Sequence, residues 1–104
     1  MLQAIKNIFG LGGKTDYSEL VKKGGVIVDV RSKEEFASGH IRNAINIPVN
    51  ELGYNLTKLK HKDQAIICCC ASGMRSASAS KILQSKGYTA VYNGGGWSSL
   101  QNKL

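Results

Sequence analysis

The sequence predicts an α/β fold in which a central, mostly parallel sheet lies between two layers of helices. Short apolar stretches typical of strands alternate with stretches of helical periodicity, and this alternation produces parallel sheets. The stretch from Val26 to Val30 is almost continuously apolar, which is the pattern of a strand covered on both faces. With 104 residues, the chain has the length of one domain that buries its own core without metals or disulfides.

The expected elements alternate along the chain. A first helix spans residues 16–23, where Asp16 and Glu19 have the spacing of a capping box and Gly24 ends the helix. A second capping box, Ser32 with Glu35, begins a short helix that runs through residue 37. The remaining expected helices span 51–59 and 76–86, and a short terminal helix carries Trp97. The expected strands are apolar runs at 26–30, 44–47, 65–69 and 88–92.

Residues 1–13 differ in character from the rest of the chain. Their large apolar side chains follow helical spacing, at Leu2, Ile5, Ile8 and Phe9. Polar residues interrupt this stretch too often for a signal peptide, and no apolar run in the chain is long enough to span a bilayer. We therefore expect an amphipathic segment with a glycine-rich joint at 1–13, which packs on the domain or touches a partner or membrane surface. Residues 14–104 then form the domain.

The net charge and the cysteines limit the partners of the protein. The formal charge of +7 suits a small anionic molecule or an acidic protein partner. The lysines are scattered, with few aromatic residues between them, which argues against nucleic acid. Three consecutive cysteines form neither a disulfide framework nor a zinc-ligand spacing. We expect no metal and no cofactor, and a reducing, cytoplasmic location.

The segment that starts at Cys70 has the pattern of a thiolate site. A buried strand ends at this cysteine, a tight loop of small residues follows, and a helix then begins. Free N–H groups at the start of a helix favour negative charge and lower the pKa of a thiol placed there. Cys70 is therefore the candidate nucleophile. The backbone amides expected to form its anion cradle are those of Ala71, Ser72, Gly73, Met74, Arg75 and Ser76.

Cys68 and Cys69 have a different expected role. Both lie inside the apolar strand, and alternation along a strand directs one to each face of the sheet. We interpret them as small apolar core residues, which is the usual role of a free cysteine.

Three sequence blocks, in this order, resemble the rhodanese domain. They are Asp29-Val30-Arg31, then Glu35-Phe36 with Gly39-His40-Ile41 and the stretch 44–48, then the stretch 70–76. The resemblance covers about residues 16–100 and implies a three-layer α/β/α rhodanese-like domain. It also implies a sulfurtransferase of the thiosulfate type. In that family a cysteine takes a sulfane sulfur from a small anionic donor, forms a persulfide and passes the sulfur to cyanide, a thiol or a protein.

The resemblance also bears on the loop. Four residues separate Cys70 from Arg75, as in rhodaneses, whereas phosphatases and arsenate reductases of the same fold have one residue more. Many rhodaneses carry a basic residue directly after the cysteine, and this chain has Ala71 there. The physiological donor therefore stays open.

Several residues near the site have expected supporting roles. We expect Arg31 to pair with Glu35, and Asp29 to accept hydrogen bonds from backbone amides that fix its loop. Arg75 either binds the sulfonate of the donor or holds the loop. His40 invites comparison with a cysteine–histidine dyad, but in the family its block forms a structural turn.

Two other functions use the same cysteine. One is a persulfide carrier that delivers sulfur to a protein partner through the basic surface. The other is a thiol redox protein in which Cys70 cycles through a sulfenic acid or a mixed disulfide.

Overall fold

The computed structural model describes residues 15–104, so the expected segment at 1–13 lies outside the described residues. The helices are α1 (Tyr17–Lys22), α2 (Lys33–Ala37), α3 (Val49–Leu52), α4 (Met74–Ser85) and α5 (Trp97–Gln101). The strands are β1 (Val26–Asp29), β2 (Ile45–Asn46), β3 (Ile66–Cys70) and β4 (Val91–Gly96). Within this part of the chain, no helix is both long enough and apolar enough to cross a bilayer.

The four strands form one sheet in the order β2-β1-β3-β4, and every neighbouring pair is parallel. Val28 lies opposite Cys68 in the β1–β3 pair, and Ile66 lies opposite Val91 in the β3–β4 pair. Parallel strands place their carboxyl ends at one edge of the sheet, and ligands of such folds bind beyond that edge. Cys70 is the last residue of β3 and lies at this edge.

Helices cover both faces of the sheet. On one face, Val28 and Cys68 pack in a core with Leu52 of α3 and Leu83 of α4. On the opposite face, Ile67, Cys69 and Leu100 of α5 form a second core, with Tyr17 and Leu20 of α1 against it. The expected three-layer α/β/α arrangement is confirmed. Cys68 and Cys69 lie on opposite faces, as strand alternation predicted.

Both helices with a predicted capping box begin with a side-chain cap. The Glu19 amide donates to Asp16 Oδ1 over 3.0 Å at the start of α1. At α2 the capping box is reciprocal, because the Glu35 amide donates to Ser32 Oγ over 3.2 Å and the Ser32 amide donates to Glu35 Oε1 over 3.0 Å. Each cap satisfies backbone donors that have no partner inside the helix.

Two expected elements were wrong in extent. The helix expected at 51–59 is the single turn α3, which spans Val49–Leu52 between the capping residues Pro48 and Gly53. The chain beyond it consists of turns and irregular structure, and the Leu59 carbonyl there accepts a hydrogen bond from the Tyr88 hydroxyl. The last strand, expected at 88–92, is instead β4, which continues through the glycine run to Gly96.

Candidate active site

The Cys70 side chain is buried where β3 passes into the loop before α4. Its Sγ accepts hydrogen bonds from the Gly73 amide at 3.0 Å and the Ser76 amide at 3.3 Å. The Ser76 hydroxyl lies 3.5 Å from the same sulfur. The first turn of a helix offers such free amides, so the order of strand, loop and helix surrounds the sulfur with donors.

These contacts distinguish Cys70 from its two neighbours. Burial raises the pKa of the Cys70 thiol, but its hydrogen bonding with Ser76, Gly73 and Ser72 outweighs burial, so the pKa lies below its ordinary value. Burial raises the pKa of Cys68 and that of Cys69 to about 12. Of the three thiols, only Cys70 is biased toward the thiolate, which is the nucleophilic form.

The sulfur is contacted by only part of the expected cradle. The amides of Ser72, Gly73 and Ser76 act on Cys70 Sγ. Within the described loop, no hydrogen bond joins this sulfur to the remaining three expected amides, which are those of Ala71, Met74 and Arg75. The Met74 side chain is 80% exposed beside the loop.

Glycines allow the loop to turn and to pack against β4. Gly73 is the N-cap of α4 and has a φ of 106°, a backbone conformation that residues with a Cβ rarely adopt. At Gly96, a Cβ would lie 2.9 Å from the Ala71 carbonyl oxygen. The glycine run of β4 thus lets the strand approach the loop closely, a role that the sequence analysis did not assign to it.

Arg75 and Glu35 form a bidentate ion pair near the loop. Arg75 Nη1 lies 2.7 Å from Glu35 Oε1, and Nη2 lies 3.0 Å from Oε2. The Arg75 guanidinium, followed by the Ser32 amide, lowers the pKa of Glu35 to about 2. The pair joins α4 to α2, which favours the loop-holding alternative for Arg75.

The expected pairing of Arg31 with Glu35 is wrong. Arg31 instead pairs with Asp29, with Nη2 2.7 Å from Oδ2 and Nε 2.9 Å from Oδ1, and both side chains are buried. Arg31 Nη2 also donates to the Gly39 carbonyl oxygen over 2.7 Å, and Arg31 Cζ lies 4.8 Å from the centroid of the Trp97 ring. Asp29 does accept a backbone hydrogen bond as expected, from the Arg31 amide at 3.0 Å. Arg31 therefore pairs with the carboxylate of Asp29, two residues before it in the sequence, and not with that of Glu35.

The side-chain contacts of His40 are with Phe36. Its Nδ1 is 2.7 Å from the Phe36 carbonyl oxygen, and its ring stacks on the Phe36 ring with 3.7 Å between centroids. These contacts are local and exposed, and they give His40 the structural turn role expected from its block.

Asn93 is the site residue that the sequence analysis missed. Its side chain reaches the loop from β4, and its Oδ1 lies 2.6 Å from the Ser76 hydroxyl oxygen. The available signal was an asparagine directly before three glycines, at the carboxyl end of a strand. Such a pattern is also typical of a turn, so by itself it does not identify a site residue.

An open cleft of about 290 Å³ lies on the side of Arg75 that faces α2 and α3. Its charged lining residues have both signs and are Lys33, Glu34, Glu51 and Arg75. Cys70 is not among the residues that line the cleft. The sulfur contacts and the cleft are therefore separate features of this edge of the sheet.

Known proteins resemble both the sequence and the fold. The family model of the rhodanese-like domain matches residues 14–103. Thiosulfate sulfurtransferase PspE of Escherichia coli (strain K12) is 37% identical over 70 residues, which are 66% of this chain and 67% of that protein. Thiosulfate:glutathione sulfurtransferase of Homo sapiens is 36% identical over an alignment of 80 residues, and the alignment covers 64% of this chain and 70% of that protein.

A solved structure, described as a rhodanese with anions from E. coli, superposes with a TM-score of 0.69 at 34% identity. The superposition covers 72% of this chain and 89% of that chain. The fold and these matches define the class: the chain belongs to the rhodanese family. Membership and the relatives together support sulfurtransferase activity in general.

Proposed function

We propose that the protein transfers a sulfane sulfur from a donor such as thiosulfate to a thiophilic acceptor through a persulfide on Cys70. The observation that carries the proposal is the sulfur held by the Gly73 and Ser76 amides at 3.0 and 3.3 Å. Donors fixed around an anionic sulfur stabilise it without reorganisation during the reaction. The lowered pKa of Cys70 supports the same role.

The reaction balances without an added oxidant. The Cys70 thiolate attacks the outer sulfur of thiosulfate and forms a new S–S bond. The sulfur–sulfur bond of the donor breaks, and sulfite leaves with its electron pair. Cyanide or a thiolate then attacks the outer sulfur of the persulfide, and the Cys70 thiolate leaves. The amides stabilise this thiolate both as the attacking group and as the leaving group, so no general base is required.

The donor is small and anionic in this proposal. The Arg75 guanidinium is neutralised by Glu35, and Ala71 adds no second cation to the loop. The positive potential that attracts the donor therefore comes from the N–H groups of the loop and from the net positive charge of the protein. The names of relatives, with thiosulfate as donor and glutathione as a second substrate, and the anions in the E. coli structure agree with this class of donor.

Delivery of the persulfide to a protein partner is the second candidate function. Met74 directly follows Gly73 of the loop, and its side chain is 80% exposed. An exposed flexible apolar side chain next to a reactive sulfur suits contact with a protein surface. The redox alternative has less support, because Cys68 and Cys69, with pKa values of about 12, are poor resolving thiols.

Mass spectrometry after incubation with thiosulfate tests the proposal. We expect the protein to gain the mass of one sulfur atom, to lose it on addition of cyanide, and to carry it on Cys70. Cys68→Ala and Cys69→Ala serve as matched controls and should keep the adduct. Cys70→Ser should abolish it. An adduct that persists in Cys70→Ser would overturn the assignment.

A further inference from the structure

The Ser76 hydroxyl has one hydrogen and three neighbours that can accept it. The Ser76 oxygen lies 2.6 Å from Asn93 Oδ1, 3.0 Å from the Gly73 carbonyl oxygen and 3.5 Å from Cys70 Sγ. Ser76 is fully buried, so water does not supply a further partner. A hydroxyl donates only one hydrogen bond at a time, so these three acceptors compete.

The orientation of the Asn93 amide is determined by its backbone neighbours. The Gly95 amide, which can only donate, lies 3.0 Å from Oδ1, and Nδ2 lies 3.4 Å from the Gly73 carbonyl oxygen. Oδ1 is therefore the atom that faces Ser76, and it is an acceptor. The short contact then requires the Ser76 hydroxyl to donate to Asn93.

We propose that Asn93 is a positioning residue that turns the hydroxyl hydrogen of Ser76 away from the Cys70 sulfur. In this arrangement the hydroxyl oxygen presents a lone pair to the sulfur and donates no hydrogen bond to it. The loop amides, among them those of Gly73 and Ser76, then support the thiolate without the hydroxyl. The inference rests on the proposed role of Cys70.

Asn93 thereby limits how strongly the thiolate is stabilised. The intrinsic nucleophilicity of a thiolate falls as the pKa of its thiol falls. A hydroxyl donor added to the amides on the sulfur would give more thiolate but a less reactive one. The contact between Asn93 and Ser76 leaves the loop amides as the donors to the sulfur and withholds the hydroxyl.

Titration of the thiolate by its ultraviolet absorbance tests this inference in the wild type, Asn93→Ala, Ser76→Ala and the double variant. The measurement needs neither a donor nor sulfur transfer, so its failure is distinguishable from failure of the proposed function. Asn93→Ala should lower the pKa of Cys70 by about half a unit or more, because the thiolate, as a charged acceptor, competes with the Gly73 carbonyl for the freed hydroxyl hydrogen. Ser76→Ala alone should change it by less than about half a unit, because the hydroxyl does not donate to the sulfur in the wild type.

The double variant separates positioning from a structural effect of Asn93. In the Ser76→Ala background, Asn93→Ala should no longer lower the pKa. A shift of equal size in both backgrounds would show that Asn93 acts through the loop backbone, and absence of any shift would also overturn the inference. If Asn93→Ala does not fold, Ser76→Ala decides alone. A rise of a unit or more in that variant would mean that the hydroxyl already donates to the sulfur.

Discussion

The guanidinium of Arg75 and the carboxylate of Glu35 form a bidentate ion pair, with 2.7 Å from Nη1 to Oε1 and 3.0 Å from Nη2 to Oε2. The two residues are 40 positions apart in the chain. Glu35 also closes the capping box of α2, and Arg75 lies in the first turn of α4, immediately before Ser76. The carboxylate therefore connects the start of one helix to the loop that holds the Cys70 sulfur.

This relationship predicts that Arg75 acts by positioning the loop. Arg75→Ala and Glu35→Ala should each reduce kcat/KM for sulfur transfer by about 10- to 100-fold, because small displacements of a reacting group have effects of that size. The loss should be alike with thiosulfate and with an uncharged sulfane-sulfur donor. Steady-state kinetics with both donors checks this. A loss confined to thiosulfate in Arg75→Ala would show instead that Arg75 binds the sulfonate.

The same ion pair predicts a dependence of stability on pH. The pKa of Glu35 is about 2 in the folded protein, against an ordinary value of 4.5, so the folded state favours the ionised carboxylate. Its stabilising contribution is fully present above about pH 4.5 and is lost as the pH falls toward 2. Urea unfolding of the wild type and Glu35→Gln should give a stability difference that shrinks across this window. A difference that stays constant from neutral pH to pH 2 would contradict the prediction.

Gly73 should resist substitution because of its backbone conformation. Its φ is 106°, and a Cβ there would also lie 3.5 Å from the Gly95 Cα. Gly73→Ala should destabilise the protein by about 1–3 kcal/mol and raise the pKa of Cys70, because the strained loop displaces an amide from the sulfur. Gly53→Ala is the matched control, since Gly53 has a φ of −64° and no atom within 4 Å of an added Cβ.

Thermal unfolding and thiolate titration check both glycine variants. The control should be neutral or more stable by about 0.4–1 kcal/mol, because alanine restricts the unfolded chain. Equal effects of the two substitutions would mean that the conformation of Gly73 does not matter.

Local signals predicted the parts of this molecule that depend on neighbours in sequence. The capping box of Ser32 and Glu35 requires only residues three apart, and the position of Cys70 at the end of a strand requires only one apolar run. The partner of Glu35 could not be predicted in this way, because Arg75 meets it only after the sheet has formed.

The contribution of β4 was missed for a similar reason. Its glycines lie in a strand whose pairing with β3 is irregular between Cys68 and Cys70, and the approach of the loop explains why a Cβ is excluded at Gly96. Asn93 is recognisable as a site residue only in the folded structure, where β4 lies beside the loop and the Asn93 side chain contacts Ser76. Sequence reasoning found the nucleophile candidate and its loop, while the residues that orient them come from contacts across the fold.

The arrangement of donors also predicts which chemistry the site does not perform. The Gly73 and Ser76 amides already bond to Cys70 Sγ, and the Arg75 guanidinium is occupied by Glu35. Phosphoryl transfer instead requires donors and cations on the three equatorial oxygens of the transferred group. We therefore expect a loop with four residues between Cys70 and Arg75 to stabilise a single sulfur and not a phosphoryl group.

Hydrolysis of an aryl phosphate measures this directly. The wild-type protein should release the phenol no faster than Cys70→Ser, and the same preparation should transfer sulfur from thiosulfate, which shows that its thiol is intact. Cys68→Ala is a useful second control, because it removes a buried thiol without touching the loop contacts of Cys70. Phosphatase activity that is present in the wild type and in Cys68→Ala but absent in Cys70→Ser would show that the loop accommodates a phosphoryl group. The amides would then have to leave the sulfur during the reaction, contrary to the arrangement in which they stabilise it.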